Sequence, residues 1–291
     1  MKLKLRDLFL LFIFYLLSSL LGLVVYLYLP FESPLIKIFI SLMCASLLLY
    51  IISLIIKWYS LIGLMWGLFP IISSIVFILG VKNYSTYAVI FTILACLQGL
   101  RYLILYIYRF VSFRCEDFRI EALKAKKLKH LFIFLIYLIL PLILFTAMLP
   151  GFYFVNSVTR GADFAPSIMT GVALALMLFS TVMEAVADFQ LVAFKNIPAN
   201  QGLVYDRGLW KNSRHPNYFF EVLYWFSVFL VSFSMPKLIY ILVFCPLGIF
   251  IIMEFFSVRL MDSKELSTKP AYQEYYDKTN PMLPIFRPKE K

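Results

Sequence analysis

Eight long apolar runs constrain this chain more than any other feature of its sequence. They are 18 to 27 residues long and cover 8–29, 34–56, 59–81, 84–108, 131–150, 166–192, 218–235 and 238–256. A helix needs about 20 apolar residues to cross the roughly 30 Å hydrocarbon core of a bilayer. In lipid, runs of this length satisfy their backbone hydrogen bonds as helices. We therefore expect an all-α, polytopic transmembrane helical bundle of seven to eight helices.

The composition excludes a water-soluble enzyme. Hydrophobic residues make up 62% of the 291 residues and charged residues 15%, whereas soluble domains have about 45–50% and 25%. No Gly-rich dinucleotide fingerprint follows a strand, so a Rossmann domain is not expected. The four cysteines show no CxxC spacing and there are only two histidines. We therefore predict neither a disulfide framework nor a metal site.

The net charge of +11 follows membrane topology rather than nucleic-acid binding. If the N-terminus is cytoplasmic and all eight segments cross, 22 of the 27 Lys and Arg residues fall on the cytoplasmic side. Only Lys82, Arg160 and Lys237 fall on the opposite side. Such an asymmetry is typical of membrane proteins. We expect an integral multi-pass protein of a bacterial inner membrane or the endoplasmic reticulum. Both termini should be cytoplasmic, with membrane lipids as neighbours and no nucleic-acid partner.

Two polar stripes interrupt the apolar segments of the C-terminal half. By helical spacing, one stripe has Glu184, Asp188 and Lys195, and the other has Asn217, Glu221 and Tyr224. Residues four or seven apart share a helix face, so each stripe points in one direction. Ionisable groups are costly in hydrocarbon and usually mark functional sites. The alternative is that these polar groups only hold helices together.

The loop between these two stripes is basic and ends at a helix start. Arg207, Lys211 and Arg214 lead to His215, and Pro216 suits the first turn of a helix. A helix N-terminus carries partial positive charge and unpaired N–H groups. The loop is therefore predicted to bind a phosphate or carboxylate group. The alternative is a juxtamembrane loop that touches lipid headgroups.

Three strings of the C-terminal half resemble the steroid 5α-reductase superfamily. The string GLWKNSRHPNYFFEVLYW (208–225) resembles the signature of a branch that reads G-L-W-x-x-S-R-H-P-N-Y-F-G-E. The tail KPAYQEYYDKTNPMLPIF (269–286) is similar to the ending of that branch, and MEAVADFQLVAFK (183–195) to its penultimate polar helix. With weaker matches, the resemblance reaches from 58 to 286. We therefore expect transmembrane helices over 1–57 and a 5α-reductase-like membrane domain with a cytoplasmic tail over 58–291.

The resemblance implies a reductase that transfers hydride from NADPH to an activated C=C bond. The substrate would be a lipid, isoprenoid or steroid-like small molecule. By this resemblance, residues at cofactor-binding positions are Asp188, Lys195, Arg214, His215, Asn217, Tyr218 and Glu221. We add Glu184 from the polar stripe, Arg207 from the basic loop and Tyr272 from the tail. Tyr102 and Tyr106 are the candidate catalytic residues, which would polarise the acceptor or protonate it.

Two positions depart from the pattern of the superfamily. Phe220 stands where a Gly is usual, and the first five segments contain no acid, whereas steroid 5α-reductases use an early Glu with a Tyr. Two other functions therefore stay open. One is an S-adenosylmethionine-dependent membrane methyltransferase of the isoprenylcysteine or phospholipid type. Such enzymes often have paired acids after the last helix, and in that region this chain has Asp262 and Glu265. The other is a non-catalytic lipid- or sterol-binding membrane protein.

Overall fold

The computed structural model describes residues 5–80, 85–113, 116–124, 126–160, 167–235 and 240–284. The regular structure of these ranges is helical, as the apolar runs predict, and the only β pairing in them is an isolated bridge. Contacts divide the chain into two compact units, Met1–Arg160 and Gly161–Lys291. The division at residue 57 rests on resemblance and stays a prediction. Lys82, Lys237 and the end of the tail string, 285–286, lie outside the described residues.

The first unit is built from long apolar helices. They are α1 (Leu5–Tyr28), α2 (Pro34–Ile56), α3 (Met65–Leu79), α4 (Thr86–Phe113), the short α5 (Phe118–Lys124) and α6 (Lys129–Arg160), and a 3₁₀ turn (Tyr59–Leu64) precedes α3. Helices α3 and α4 pack closely where Gly67 meets Gly99. A Cβ at Gly99 would lie 2.4 Å from the Gly67 carbonyl oxygen. Such small residues permit close backbone approach between helices in lipid.

The second unit pairs two helices and continues into a broken helix and a tail. It contains α7 (Ile168–Lys195), α8 (Pro216–Leu230), α9 (Phe244–Ile251), α10 (Arg259–Thr268) and α11 (Tyr272–Lys278). A π-helical segment (Ile252–Val258) joins α9 to α10, so that 241–268 forms one long apolar element. Short 3₁₀ turns at Pro198–Asn200 and Gly208–Lys211 lie in the loop before α8.

Seven helices of the described part are long and apolar enough to cross a membrane. They correspond to seven of the eight predicted segments. The eighth, 218–235, overlaps α8, which has only 15 residues and is followed by a 3₁₀ turn (Val231–Ser234). The predicted C-terminal ends of two segments are wrong. Helix α6 continues through Pro150 to Arg160, and the last span continues to Thr268. Polar residues in these extensions lower the hydropathy without breaking the helix.

Helix α7 begins with a capping box and packs against α8 through one buried face. A capping box starts the helix, because Ser167 Oγ accepts from Thr170 N and Thr170 Oγ1 accepts from Ser167 N. Its buried residues recur every three or four positions from Thr170 to Asp188. This stripe faces α8, and the ring of Phe179 meets the edge of Phe220 at 6.0 Å. Phe220 therefore fills space between two helices where the related signature has Gly.

Candidate functional site

A buried carboxylate and a buried amide meet where α7 packs on α8. Asn217 Nδ2 donates to Asp188 Oδ1 at 3.2 Å. We call these two residues the Asp188 pair. Asn217 Oδ1 is also buried, and within the described ranges it has no hydrogen-bond partner. A carboxylate only accepts, so Asp188 determines that the Asn217 amide turns its NH₂ inward. One buried acceptor therefore remains without a donor.

Two more acids lie along the same interface. Glu184 is one helical turn before Asp188 and is equally buried. Glu221 lies one turn after Asn217, and its Oε1 accepts a hydrogen bond of 2.7 Å from Trp225 Nε1. Glu184 and Asp188 of the first predicted stripe are buried, and so are Asn217, Glu221 and Tyr224 of the second. Lys195, at the end of the first stripe, is exposed.

A second acid-centred cluster lies at the start of α8. Asp262 in α10 accepts from Arg214, His215 and Tyr272, and we call these four residues the Asp262 cluster. The Arg214 Nη2–Asp262 Oδ2 distance is 3.1 Å, the His215 Nε2–Asp262 Oδ1 distance is 2.8 Å, and the Tyr272 hydroxyl lies 2.6 Å from Oδ1. All four side chains are buried. A buried charge is stable only when it is paired and hydrogen-bonded, and this carboxylate is both.

Arg214 uses its other donors within the protein. Its Nη1 donates to the carbonyl oxygens of Tyr276, at 2.8 Å, and of Thr279. Its guanidinium also lies over the Tyr276 ring, 4.0 Å from the centroid. Arg214 therefore joins the loop before α8 to α10 and to the tail. Its role in this geometry is to organise the site, and its charge is directed at Asp262.

The tail continues this connection through its backbone. After α11 it runs extended beside the loop, where Ser213 and Asn280 form the parallel bridge. Arg214 N donates to Asn280 O at 2.9 Å and His215 N to Pro281 O at 3.0 Å. Ser213 Oγ donates to Met282 O at 2.7 Å. The tail therefore consists of a short helix, α11, followed by an extended segment.

Two tyrosines of the tail hold the loop from the inside. The Tyr275 hydroxyl donates to the carbonyl oxygens of Trp210 and Ser213, and Trp210 Nε1 donates to Ala187 O at 3.0 Å. Burial raises the pKa of the Tyr275 hydroxyl well above its ordinary value. Burial and the hydrogen bond to Asp262 raise the pKa of Tyr272 in the same way. Both hydroxyls therefore remain protonated donors at neutral pH.

The loop before α8 needs a glycine at the point where its second 3₁₀ turn begins. Gly208 has φ of +59°, and a Cβ there would lie 2.6 Å from Gln190 Oε1. That oxygen accepts a hydrogen bond of 3.1 Å from Leu209 N. The left-handed backbone and the missing side chain thus allow the loop to meet α7. Arg207 and Lys211, which flank this turn, are exposed, whereas Tyr218 is half-buried and stacks on His215 at 5.3 Å.

The two candidate catalytic tyrosines belong to the first unit. The Tyr106 hydroxyl donates to Ser60 O, and two further tyrosines bond the same 3₁₀ turn: Tyr15 to Leu61 O, and Tyr137 to Tyr59 O at 3.0 Å. We call Tyr15, Tyr106 and Tyr137 the tyrosine clamp. Tyr102 stacks on Tyr106, with ring centroids 6.3 Å apart. The hydroxyl proton of Tyr106 is therefore engaged in a hydrogen bond that holds the 3₁₀ turn. The position of Tyr106 in the sequence did not predict this role.

Asp262 is the residue whose role sequence reasoning missed. It stands in the string SVRLMDSKELSTKP as one of several alternating charges, and its only earlier interpretation is as a methyltransferase acid. Its neighbour Glu265 instead pairs with Lys269 at 2.7 Å. The two acids therefore point to different partners. A single signal could have identified Asp262: an acid inside an element that begins as a membrane span.

Comparison with known families gives one match. The model of the family described as "Protein of unknown function (DUF1295)" matches residues 49–279. The matched range begins within α2 and ends one residue after α11, so it includes both acid-centred clusters and the tyrosines of α4. No curated protein and no solved structure matches the chain.

Proposed function

The chain belongs to the DUF1295 family of proteins of unknown function, within the steroid 5-alpha reductase-like group, and from this premise we propose that it is a membrane-embedded NADPH-dependent reductase. The proposed reaction is reduction of an activated C=C bond in a lipid, isoprenoid or steroid-like substrate. The C-terminal signature at 208–225, with the tail at 269–286, is the part of the sequence that we propose to hold the cofactor.

The observation that carries this proposal is the buried acceptor of Asn217. Asn217 Oδ1 has no donor among the described residues, while its Nδ2 is held by Asp188. A buried polar atom left without a partner costs about 1–3 kcal/mol, so a ligand that supplies an N–H group would recover that energy. The carboxamide of a nicotinamide ring has such a group. The acceptor of Asn217 is therefore chemically suited to a carboxamide N–H donor such as that of NADPH.

The charges around the loop support a phosphate-bearing ligand. Lys195, Arg207 and Lys211 are exposed in the same unit, and α8 begins at Pro216 with the positive end of its dipole. Arg214 is not assigned to the phosphates, because its guanidinium is directed at Asp262, Tyr276 and Thr279. We propose that the exposed cations contact the phosphates and that Arg214 and His215 keep the loop in place.

NADPH, when bound, would supply the hydride. The residues of this chain would then orient the ring through Asn217 and keep water away from the transfer through the apolar surface of α7 and α8. The proton donor stays a sequence prediction, Tyr102 or Tyr106. Of the two, Tyr106 already donates to Ser60 O.

A cofactor titration tests the proposal. NADPH added to the purified protein in detergent should raise its melting temperature, and Asn217→Ala should weaken the apparent affinity by about tenfold, the equivalent of one hydrogen bond. Ser227→Ala is the matched control, because it removes another buried polar group from α8, one that bonds only Leu223 O. It should bind NADPH as the unchanged protein does. Equal binding by both variants would contradict the assignment of Asn217.

Two further measurements separate the alternative functions. A melting-temperature increase with S-adenosylmethionine but not with NADPH would replace the reductase by a methyltransferase. Binding of NADPH without loss of its absorbance in the presence of a membrane-lipid extract would favour a non-catalytic lipid-binding protein. Where absorbance is lost, Tyr102→Phe should slow turnover by a factor of about 10² or more, as removal of a general acid does.

A further inference from the structure

A pocket opens between the first three helices, and no candidate-site residue lines it. It is a groove between α1, α2 and α3, open on one side, with a cavity volume of about 100 Å³. We call it the N-terminal pocket. Its wall is almost wholly apolar, and small side chains such as Ser19, Gly22, Ala45 and Ser73 make the room. The pocket therefore has the character of a binding site for an apolar chain rather than for a nucleotide.

The length of the pocket matches one leaflet of a bilayer. On α1 it extends from Tyr15 to Tyr26, and on α3 from Met65 to Val76. Each stretch is a rise of about 16 Å at 1.5 Å per residue. The hydrocarbon core is about 30 Å thick, so the pocket reaches from the turn between α1 and α2 to about the middle of the membrane. That is the space that one acyl chain of a phospholipid occupies.

A cation lies at the end of the pocket where a headgroup would be. Lys37 is in the first turn of α2, next to Ile38 of the pocket wall. Its Nζ is 5.5 Å from the centroid of the Tyr26 ring, which also lines the pocket. Among the residues that the structure describes, no carboxylate pairs with Lys37. The N-terminus of α2 adds partial positive charge at the same place. An anionic group is thus favoured at this mouth.

We propose that the N-terminal pocket binds one acyl chain of an anionic phospholipid, with the lipid phosphate at Lys37. Lipid tails are as apolar as the side chains of the pocket, so burial alone gives little preference between neighbouring lipids. The preference for one lipid comes from the fit of its acyl chain among the small side chains of the pocket and from the charge of Lys37. The turn between α1 and α2 also has one exposed acid, Glu32, so the preference for an anion depends on Lys37 and on the positive end of α2.

Most of the pocket wall belongs to a part of the chain that the family match does not include. All of α1 and the pocket-lining part of α2, up to Ala45, precede residue 49, where that match begins. Only the α3 wall lies inside it. Two of the three walls of the pocket therefore lie outside the family match. It does not depend on the reductase proposal, and either can fail without the other.

Native mass spectrometry of the full-length protein tests the proposal. The protein is stripped of lipid in detergent and then offered phosphatidylglycerol and phosphatidylcholine with identical acyl chains. We expect one phosphatidylglycerol molecule to be retained in preference to phosphatidylcholine. Lys37→Gln should reduce that preference about fivefold, because one lysine near an anionic headgroup contributes about 1 kcal/mol. Lys57→Gln, at the other end of α2, is the matched control and should retain it.

A second pair of variants tests the pocket itself. Ser19→Phe fills the pocket with a ring and should abolish the retained lipid. Leu20→Phe places a ring on the neighbouring, exposed position of α1 and should leave the lipid bound. Retention of the lipid by Ser19→Phe, or equal retention of both phospholipids by the unchanged protein, would overturn the proposal. Retention of an uncharged single-chain lipid instead would overturn it as well.

Discussion

The Asp262 cluster and the Asp188 pair begin from the same loop but treat buried polarity differently. Arg214 and His215 turn to Asp262, whose two oxygens accept hydrogen bonds from these residues and from Tyr272. Two residues later, Asn217 turns to Asp188 and leaves its Oδ1 without a donor. In the Asp262 cluster the buried acid is paired within the protein, whereas the Asp188 pair leaves one buried acceptor without a hydrogen-bond partner among the described residues.

This difference assigns separate roles to adjacent residues of one motif. A complete buried network rigidifies the fold, because each partner would be costly to leave unpaired. A buried polar group without a partner costs stability, so each one in a native structure calls for an explanation, and a bound ligand is the one that we propose for Asn217. We therefore interpret Arg214, His215 and Tyr272 as residues that position the loop and Asn217 as the residue that faces the ligand. The tyrosine clamp of the first unit is a third arrangement of buried polar groups, in which three tyrosine hydroxyls donate to backbone carbonyl oxygens.

The largest effect is expected from removal of the acid at the centre of the complete cluster. Asp262→Ala leaves the buried Arg214 charge without its carboxylate and should lower the free energy of unfolding by about 3–5 kcal/mol. Denaturant unfolding of the protein in detergent, followed by tryptophan fluorescence, measures this. Asp277→Ala, on the exposed side of α11, is the control. A loss no larger than that of the control would show that Arg214 is not desolvated.

A smaller effect is expected from Tyr272. Tyr272→Phe keeps the ring but removes a hydrogen bond to a charged acceptor, which should cost about 1.5–3 kcal/mol. Tyr276→Phe, which keeps the ring beneath Arg214, should cost less. Because the pKa of Tyr272 is raised in the folded protein, its contribution is full below about pH 10 and is lost as pH rises above that value.

The alkaline slope gives the second readout of Tyr272. Above about pH 10 the unfolded chain loses the tyrosine proton and the folded chain keeps it, so stability falls as pH rises. In Tyr272→Phe the free energy of unfolding should fall less steeply with pH. The difference in slope is the contribution of the one missing hydroxyl, up to about 1.4 kcal/mol per pH unit. Unfolding curves collected between pH 9 and pH 11 on both proteins decide this. Parallel curves would mean that another buried tyrosine carries the effect.

The tyrosine clamp should be less sensitive than the Asp262 cluster. Tyr106→Phe removes one neutral hydrogen bond to Ser60 O and should cost about 1 kcal/mol. If its role is only structural, consumption of NADPH with a lipid extract should be unchanged, whereas Tyr102→Phe should slow it. A large loss of turnover in Tyr106→Phe with normal stability would instead make Tyr106 the acid.

The smallest effect on stability is expected at Asn217. In Asn217→Ala the lost bond to Asp188 is offset by removal of a buried oxygen that lacks a partner, so the cost should be about 1 kcal/mol or less. The same variant should have the largest effect on cofactor binding. A destabilisation as large as that of Asp262→Ala would remove the contrast between the two clusters, and the same unfolding series would reveal it.

Sequence reasoning reached much of the fold and part of the candidate site. Apolar length predicted the spans, because a bilayer requires about 20 residues per crossing. Helical periodicity predicted the buried faces of Asp188 and Glu221, because residues four apart share a face whatever they pack against. The ends of α6 and of the 241–268 element were missed, because Asn, Thr, Asp and Lys lower hydropathy in helices that nevertheless continue.

What the sequence determined by itself is local: the helices, the polar stripes, the helix start at Pro216 and the extended tail. What only the tertiary structure decided is where each polar group is directed. Asp262 is 48 residues from Arg214 along the chain and 10 from Tyr272. No periodicity relates positions so far apart, because their meeting depends on how α8, α10 and the tail pack. The same packing left Asn217 Oδ1 without a donor, and with it the strongest indication of a ligand.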